Sequence, residues 1–206
     1  LDATTSPPLG VVVYEAKDPG AAVDDAIKSG APAPYGAVLW DSAIALARLF
    51  WAMDLRGRRV LELGAGCGLV GLVGATRGAQ VLCTDVDVHT LRAVARAATD
   101  ANVTVDVATF DLMGPDVLPD VGGDVATDVV LADVLYEPAL AAAAARRCRQ
   151  ALALGARVWV GDPERVPRKD FIRLLAEDGI DARFGEVGGA DGVVCVLEPT
   201  AASRSS

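Results

Sequence analysis

The 206-residue chain contains one histidine, His89, and its four cysteines include no C-x-x-C pair. A tetrahedral structural zinc needs four nitrogen or sulfur ligands at short, characteristic spacings, so no metal is expected. Cys67, Cys83, Cys148 and Cys195 read as buried small apolar residues in a reducing compartment, with only Cys67 placed to line a pocket. Basic runs are scarce as well. Beyond the short "RRCR" at Arg146–Arg149 there is no Lys/Arg cluster, and the net charge is −9. A phosphate backbone needs a basic footprint, so nucleic acid is not expected as a partner. No apolar run reaches the ~18 residues of a membrane span. The opening "LDATTSPPLG" lacks the basic and apolar regions of a signal peptide. An intracellular location, cytoplasmic or mitochondrial, and a monomer are the expectations.

The composition does support a full core, with 52% hydrophobic and 23% charged residues. Residues 1–34 are rich in Pro, Gly and Ser and read as an irregular arm with one strand candidate, "VVVYEA". A helix follows "APAPYGAVLW", with Asp41 or Ser42 as its cap. Strands and helices then alternate. "RRVLEL", "AQVLCTD", "VTVDVATFD", "TDVVLAD" and "ARVWVGD" read as strands, with helices between them. "IDARFGEV" and "GVVCVLE" flank the hairpin signal "GGAD". This pattern implies an α/β fold: a Rossmann-like, seven-stranded, mostly parallel sheet, helices on both faces, and a C-terminal antiparallel hairpin. One domain over 35–198 and a disordered tail at 199–206 complete the expectation.

The stretch "RRVLELGAGCGLVG" fits two motifs. Gly64, Gly66 and Gly68 read as G-x-G-x-G, while Gly66, Gly68 and Gly71 read as the dinucleotide pattern G-x-G-x-x-G. In a dinucleotide fold the first glycine follows the strand directly. Counted from Gly64, the third glycine falls on Leu69, so that register fails. Glu62 would also lie near an anionic pyrophosphate, whereas beside a cationic sulfonium its charge is favourable. Five carboxylates, Glu62, Asp85, Asp111, Asp133 and Asp162, fall at carboxyl ends of strands, where open α/β sheets bind ligands. Helix caps and turns account equally well for Asp111 and Asp162. His89 reads as a helix-surface residue.

These residues resemble a known group. "VLELGAGCGLVG" resembles the first motif of Rossmann-like S-adenosylmethionine-dependent methyltransferases, and Asp85 of "CTD" resembles their ribose-binding acid. "AVLWDSAIALARLF", "FDL" and "LADVLY", with Asp133 and Tyr136 as Asp-x-x-Tyr, resemble the seven-strand protein-lysine methyltransferases. "VWVGDPER" resembles the branch that methylates the electron transfer flavoprotein β-subunit. The likeness spans about Tyr35 to Arg165. It departs from the usual pattern at Asp41 (proline elsewhere), at Leu112 (tryptophan elsewhere), and by lacking an asparagine late in the helix after Asp85.

The resemblance implies S-adenosylmethionine as cofactor and a lysine of a protein as acceptor. It implies cofactor contacts from Trp40, Glu62, Gly64, Ala65, Gly66, Asp85, Asp111, Leu112 and Ala132, and a catalytic pair Asp133 and Tyr136. Asp133 would accept a hydrogen bond from the amine, and Tyr136 would wall the partly cationic nitrogen. A free lysine has a pKa near 10.4, so neutral amine at pH 7 costs about 4.6 kcal/mol. Two other readings stay open: a small-molecule N- or O-methyltransferase with the arm as lid, and a cofactor-binding scaffold without catalysis.

Overall fold

Side-chain alternation along three central strands builds the two faces of the sheet. Val60 of β3 (Arg59–Leu63), Val130 of β6 (Asp128–Ala132) and Trp159 of β7 (Arg157–Asp162) enter one core. Their neighbours Leu61, Leu63, Val129, Leu131, Val158 and Val160 enter the other. Strands buried on both faces need helices on both sides. The first core is closed by α2 (Asp41–Ala52), α3 (Leu69–Thr76) and α4 (Val88–Asp100). The second is closed by α5 (Pro138–Ala153) and α6 (Arg168–Ala176), through Ala144, Cys148, Phe171 and Leu175. The computed structural model describes residues 2–6, 10–29, 34–186 and 193–200.

With β4 (Gln80–Asp85), β5 (Asp106–Thr109), β8 (Phe184–Glu186) and β9 (Val193–Leu197), the sheet order is β5-β4-β3-β6-β7-β9-β8. β9 is antiparallel to β7 on one side and to β8 on the other. The expected hairpin is present, but its last strand is inserted inside the sheet and β8 forms the edge. The expected "GGAD" turn and the tail beyond Thr200 lie outside the described residues. Order reverses between β3 and β6, which is where a doubly wound sheet opens its binding crevice.

The N-terminal arm departs from expectation. It is not irregular: β1 (Asp2–Ser6) pairs antiparallel with β2 (Val11–Glu15), and α1 (Pro19–Ser29) follows. Val11 and Val13 of β2 are buried in the first core, and Tyr14 donates a hydrogen bond to Asp100 at the end of α4. A 3-10 turn, Tyr35–Ala37, then brings the chain over the glycine loop.

Candidate active site

At the crevice lies a cavity of about 500 Å³, lined by Tyr35, Trp40, the loop 64–69, Asp85, Asp111, Leu112, Ala132, Asp133 and Tyr136 among others. Ligand sites commonly fall between about 300 and 1,000 Å³. All the residues expected to contact a cofactor line this cavity, with one exception.

The exception is Glu62. Strand alternation puts it on the same face as Val60, under α3 rather than at the mouth. Its buried carboxylate accepts from the Gly71 amide at 2.9 Å and from the Cys83 thiol at 3.3 Å. A Cβ at Gly71 would stand 2.3 Å from Cys83 Sγ, so only glycine lets α3 approach this closely. Burial, the largest influence, raises the Glu62 carboxyl from 4.5 to about 7. The folded chain therefore holds a proton that the unfolded chain releases above about 4.5. Stability falls as pH rises through that window and levels off above about 7, a linkage of about 3 kcal/mol in full. Glu62→Gln removes the ionisation, although its amide donors need acceptors of their own. It should raise stability at pH 8 by about 1–2 kcal/mol, with the gain fading toward pH 5. Urea melts of both proteins at the two pH values check this, and a gain independent of pH would contradict it.

The loop after β3 is a cradle of exposed backbone. Gly64 and Gly66 have φ of +66° and +50°, a left-handed region that side chains disfavour. A Cβ on Gly66 would come within 3.1 Å of the Gly36 carbonyl, so the 3-10 turn can close over the loop only because that position is bare. Asp85, the last residue of β4, holds the loop from below. One carboxylate oxygen accepts from Gly66 N at 2.9 Å and the other from Asp87 N at 3.0 Å. Each oxygen has the capacity to accept a further hydrogen bond, and the residue lines the cavity. Cys67 also lines the cavity, but burial pushes its thiol up to about 12, so it stays protonated and inert at neutral pH.

The far wall is the segment Asp111–Asp116. Asp111 accepts from Met113 N at 2.8 Å, a local turn. The segment is fixed by Arg147 of α5, a fully buried guanidinium. It donates to the carbonyls of Asp111, Leu112, Gly114 and Asp116, and lies 4.6 Å above the Phe110 ring. Arg146 adds bonds to Leu112 and Gly114. The "RRCR" run, unremarkable as a basic patch, thus builds one side of the site.

The opposite end holds Asp133, buried and at φ +57° just past β6. Asp133 Oδ2 accepts from Ser42 N at 3.2 Å. Neither Asp41 nor Ser42 caps α2 with its own side chain. The cap comes instead from Asp133, 91 positions along the chain, and satisfies a helix N-terminal donor. Asp133 Oδ1 accepts from Arg165 Nε at 3.1 Å and Nη2 at 2.8 Å. The Arg165 guanidinium lies 5.1 Å above the Trp40 ring, and Trp40 Nε1 donates to the Tyr35 carbonyl at 3.0 Å. Tyr136 is exposed at its outer edge and stacks obliquely on Tyr35 at 5.3 Å. Burial, aided by Glu137 and Asp85, raises its phenol, so it stays protonated and is no base. Asp162 lies behind this corner. Its Oδ1 accepts from Arg165 N at 2.9 Å, whereas Oδ2, like Ser42 Oγ, is buried with no partner among the described residues. His89 is exposed at the start of α4, and the Asp87 side chain caps that helix through His89 N at 2.7 Å.

The loop alone does not separate the two glycine motifs, because Gly71 makes the close helix–sheet contact that a dinucleotide fold also uses. The sheet does separate them. Counted in chain order its strands run 3-2-1-4-5-7-6, with an antiparallel seventh, against the parallel 3-2-1-4-5-6 of the dinucleotide fold.

Comparison with known proteins agrees. Residues 26–161 match the family model described as lysine methyltransferase. Protein N-lysine methyltransferase METTL21A of Danio rerio is 56% identical over 52 residues, 24% of this chain and 23% of that protein. Histone-arginine methyltransferase METTL23 of Xenopus laevis is 34% identical over 108 residues, 50% of this chain and 46% of that protein. The matched parts thus span less than half the length of either relative. Among solved structures, a TehB-like SAM-dependent methyltransferase from Corynebacterium glutamicum superposes with a TM-score of 0.60 at 20% identity, over 89% of this chain and 100% of that one, a likeness of fold.

Proposed function

The chain belongs to the lysine methyltransferase family, and from that premise we propose that it methylates a lysine side chain of a protein, using S-adenosylmethionine. The observation that carries the reading is the crevice itself. The bare glycine loop, the Asp85 carboxylate and the Asp133 corner converge on one cavity at the switch point of the sheet. The donor set fits the cofactor: Asp85 has the capacity to accept from a pair of ribose hydroxyls, and the Gly64–Gly66 backbone leaves room for the methionine portion. Leu112 and Asp111 are assigned to the adenine side, and Trp40 and Ala132 to the reacting end. Bound there, the cofactor would supply an electrophilic sulfonium methyl group, to be taken by the lysine nitrogen with S-adenosylhomocysteine as the leaving group.

The protein's own part is to present that nitrogen uncharged and aligned. Asp133 Oδ2 has one lone pair beyond its bond to Ser42 N with which to orient an amine N–H. Tyr136 and Tyr35 offer aromatic faces for the developing cation. The proton leaves to water, because the nearby phenol stays protonated. Exposed Val86, Met113 and Tyr136 rim the cavity. That open rim, which also carries the exposed carboxylates of Asp111 and Glu137, favours a macromolecular acceptor over an enclosed small molecule. The electron transfer flavoprotein β-subunit is the acceptor suggested by "GDPER", Gly161–Arg165, and is the first protein to offer the enzyme. Among the described residues no helix is long and apolar enough to cross a membrane.

Calorimetric titration tests the cofactor. S-adenosylhomocysteine should bind, and at a hundredfold excess over Kd should stabilise the fold by about 2.7 kcal/mol. NAD should do neither. Binding of NAD alone would overturn the reading. With methyl-labelled cofactor and a cell lysate, label should accumulate in protein rather than in the small-molecule fraction.

A further inference from the structure

A cation stacked on an aromatic ring and paired with a buried carboxylate is the arrangement that an acceptor lysine or arginine would itself seek. Here the chain makes it internally. Arg165 lies over Trp40 and places two donors on Asp133 Oδ1, while the Asp133 side chain is 2% exposed. The pose is built in, because Asp162 Oδ1 fixes the Arg165 backbone amide and Glu164 turns the chain back at φ +69°. Other charges at this corner do not replace it. Arg168 pairs with Glu164 at 3.0 Å and approaches Asp162 at 3.8 Å. Asp162 feels Arg168, Asp133 and Arg165, and Tyr136 feels Glu137, Asp85, Tyr35 and Arg165.

We infer that Arg165 is a positioning residue that neutralises Asp133 at the acceptor end of the site, and so selects an uncharged lysine amine over a guanidinium. The inference rests on the lysine-methyltransfer reading above. A bare Asp133 would hold an incoming lysine as ammonium, the form without a lone pair. Paired with Arg165, it exerts little net field on the amine yet still offers an oxygen to aim it. A substrate arginine would meet a carboxylate already occupied and a like charge beside it.

The test uses the acceptor protein identified by labelling, and the same protein with arginine at the labelled lysine. The pH profile of kcat reports groups in the bound complex, whereas kcat/KM reports the free species. Arg165→Gln should move the rise of kcat up by about one pH unit. The result is roughly a tenfold loss at pH 7.5 that is regained at higher pH. Arg165→Lys keeps the charge and should keep the wild-type midpoint. The double variant Asp133→Asn with Arg165→Gln removes both charges and should return to that midpoint. Affinity for S-adenosylhomocysteine should stay within about threefold throughout, since the cofactor is held elsewhere. An unshifted kcat midpoint in Arg165→Gln overturns the inference, whatever the height of the profile. So does methylation of the arginine-substituted acceptor by the unmutated enzyme at a comparable rate, a result that needs no variant to fold. Failure of the underlying reading shows differently, as no methyl-lysine formed by the wild type.

Discussion

Asp133→Asn is expected to slow methyl transfer to lysine by about 10²-fold, the scale of a mispositioned reacting group. Affinity for S-adenosylhomocysteine should change little. Asparagine tolerates the left-handed backbone at φ +57° as well as aspartate does, so the turn after β6 survives. The ion pair does not survive. Arg165 loses its charged partner, its hold over Trp40 loosens, and the amide end of α2 keeps only a weaker acceptor. Tyr136→Ala should act in the same direction by removing one half of the Tyr35–Tyr136 wall. The paired measurement is calorimetric cofactor affinity beside the initial methylation rate, with a thermal melt to confirm folding. Wild-type rates in both variants would mean that this corner is structural only.

Asp85→Ala is expected to do the opposite, with binding lost before chemistry. The carboxylate anchors Gly66 N and Asp87 N, and it is the group assigned to the ribose. Hydrogen bonds to a charged group contribute about 1.5–3 kcal/mol each. Losing two to the ligand, and loosening the cradle as well, should weaken cofactor affinity by roughly 10²-fold or more. At saturating cofactor much of the rate should return, because the acceptor corner is untouched. Asp85→Asn, which keeps an acceptor oxygen for one of the two amides, should lie between alanine and wild type. Equal affinity in the alanine variant and the wild type would remove Asp85 from the site.

The strands were legible because apolar runs bounded by turn residues have few other solutions, and the alternation with helices followed. Asp85 and the glycine loop were legible because strand ends and bare backbone mark a crevice. Other features depended on contacts far apart in sequence. The insertion of β9 between β7 and β8 is a pairing choice that no local pattern encodes. The cap of α2 comes from Asp133, so searching next to the helix pointed to Asp41 and Ser42 instead. The arm carries a hairpin and a helix in a composition that suggested neither. Further features are written in the sequence itself. Glu62 shares its parity with Val60, which already directs it under α3. Arg147 lies three residues after Ala144 and four before Ala151 on the buried stripe of α5, where an arginine needs many acceptors. Arg165 stood in "GDPER" as part of a likeness, and only its distances to Asp133 and Trp40 give it a role.

The reaction proposed for this cavity is methyl transfer to lysine. The most direct measurement incubates the protein with methyl-labelled S-adenosylmethionine and a cell lysate, hydrolyses the labelled protein to amino acids, and identifies the modified residue. Label is expected in methylated lysine, strongly reduced by Asp85→Ala at sub-saturating cofactor but largely restored at saturation, and strongly reduced by Asp133→Asn at either concentration. Label in methylated arginine, or in the small-molecule fraction alone, would contradict it.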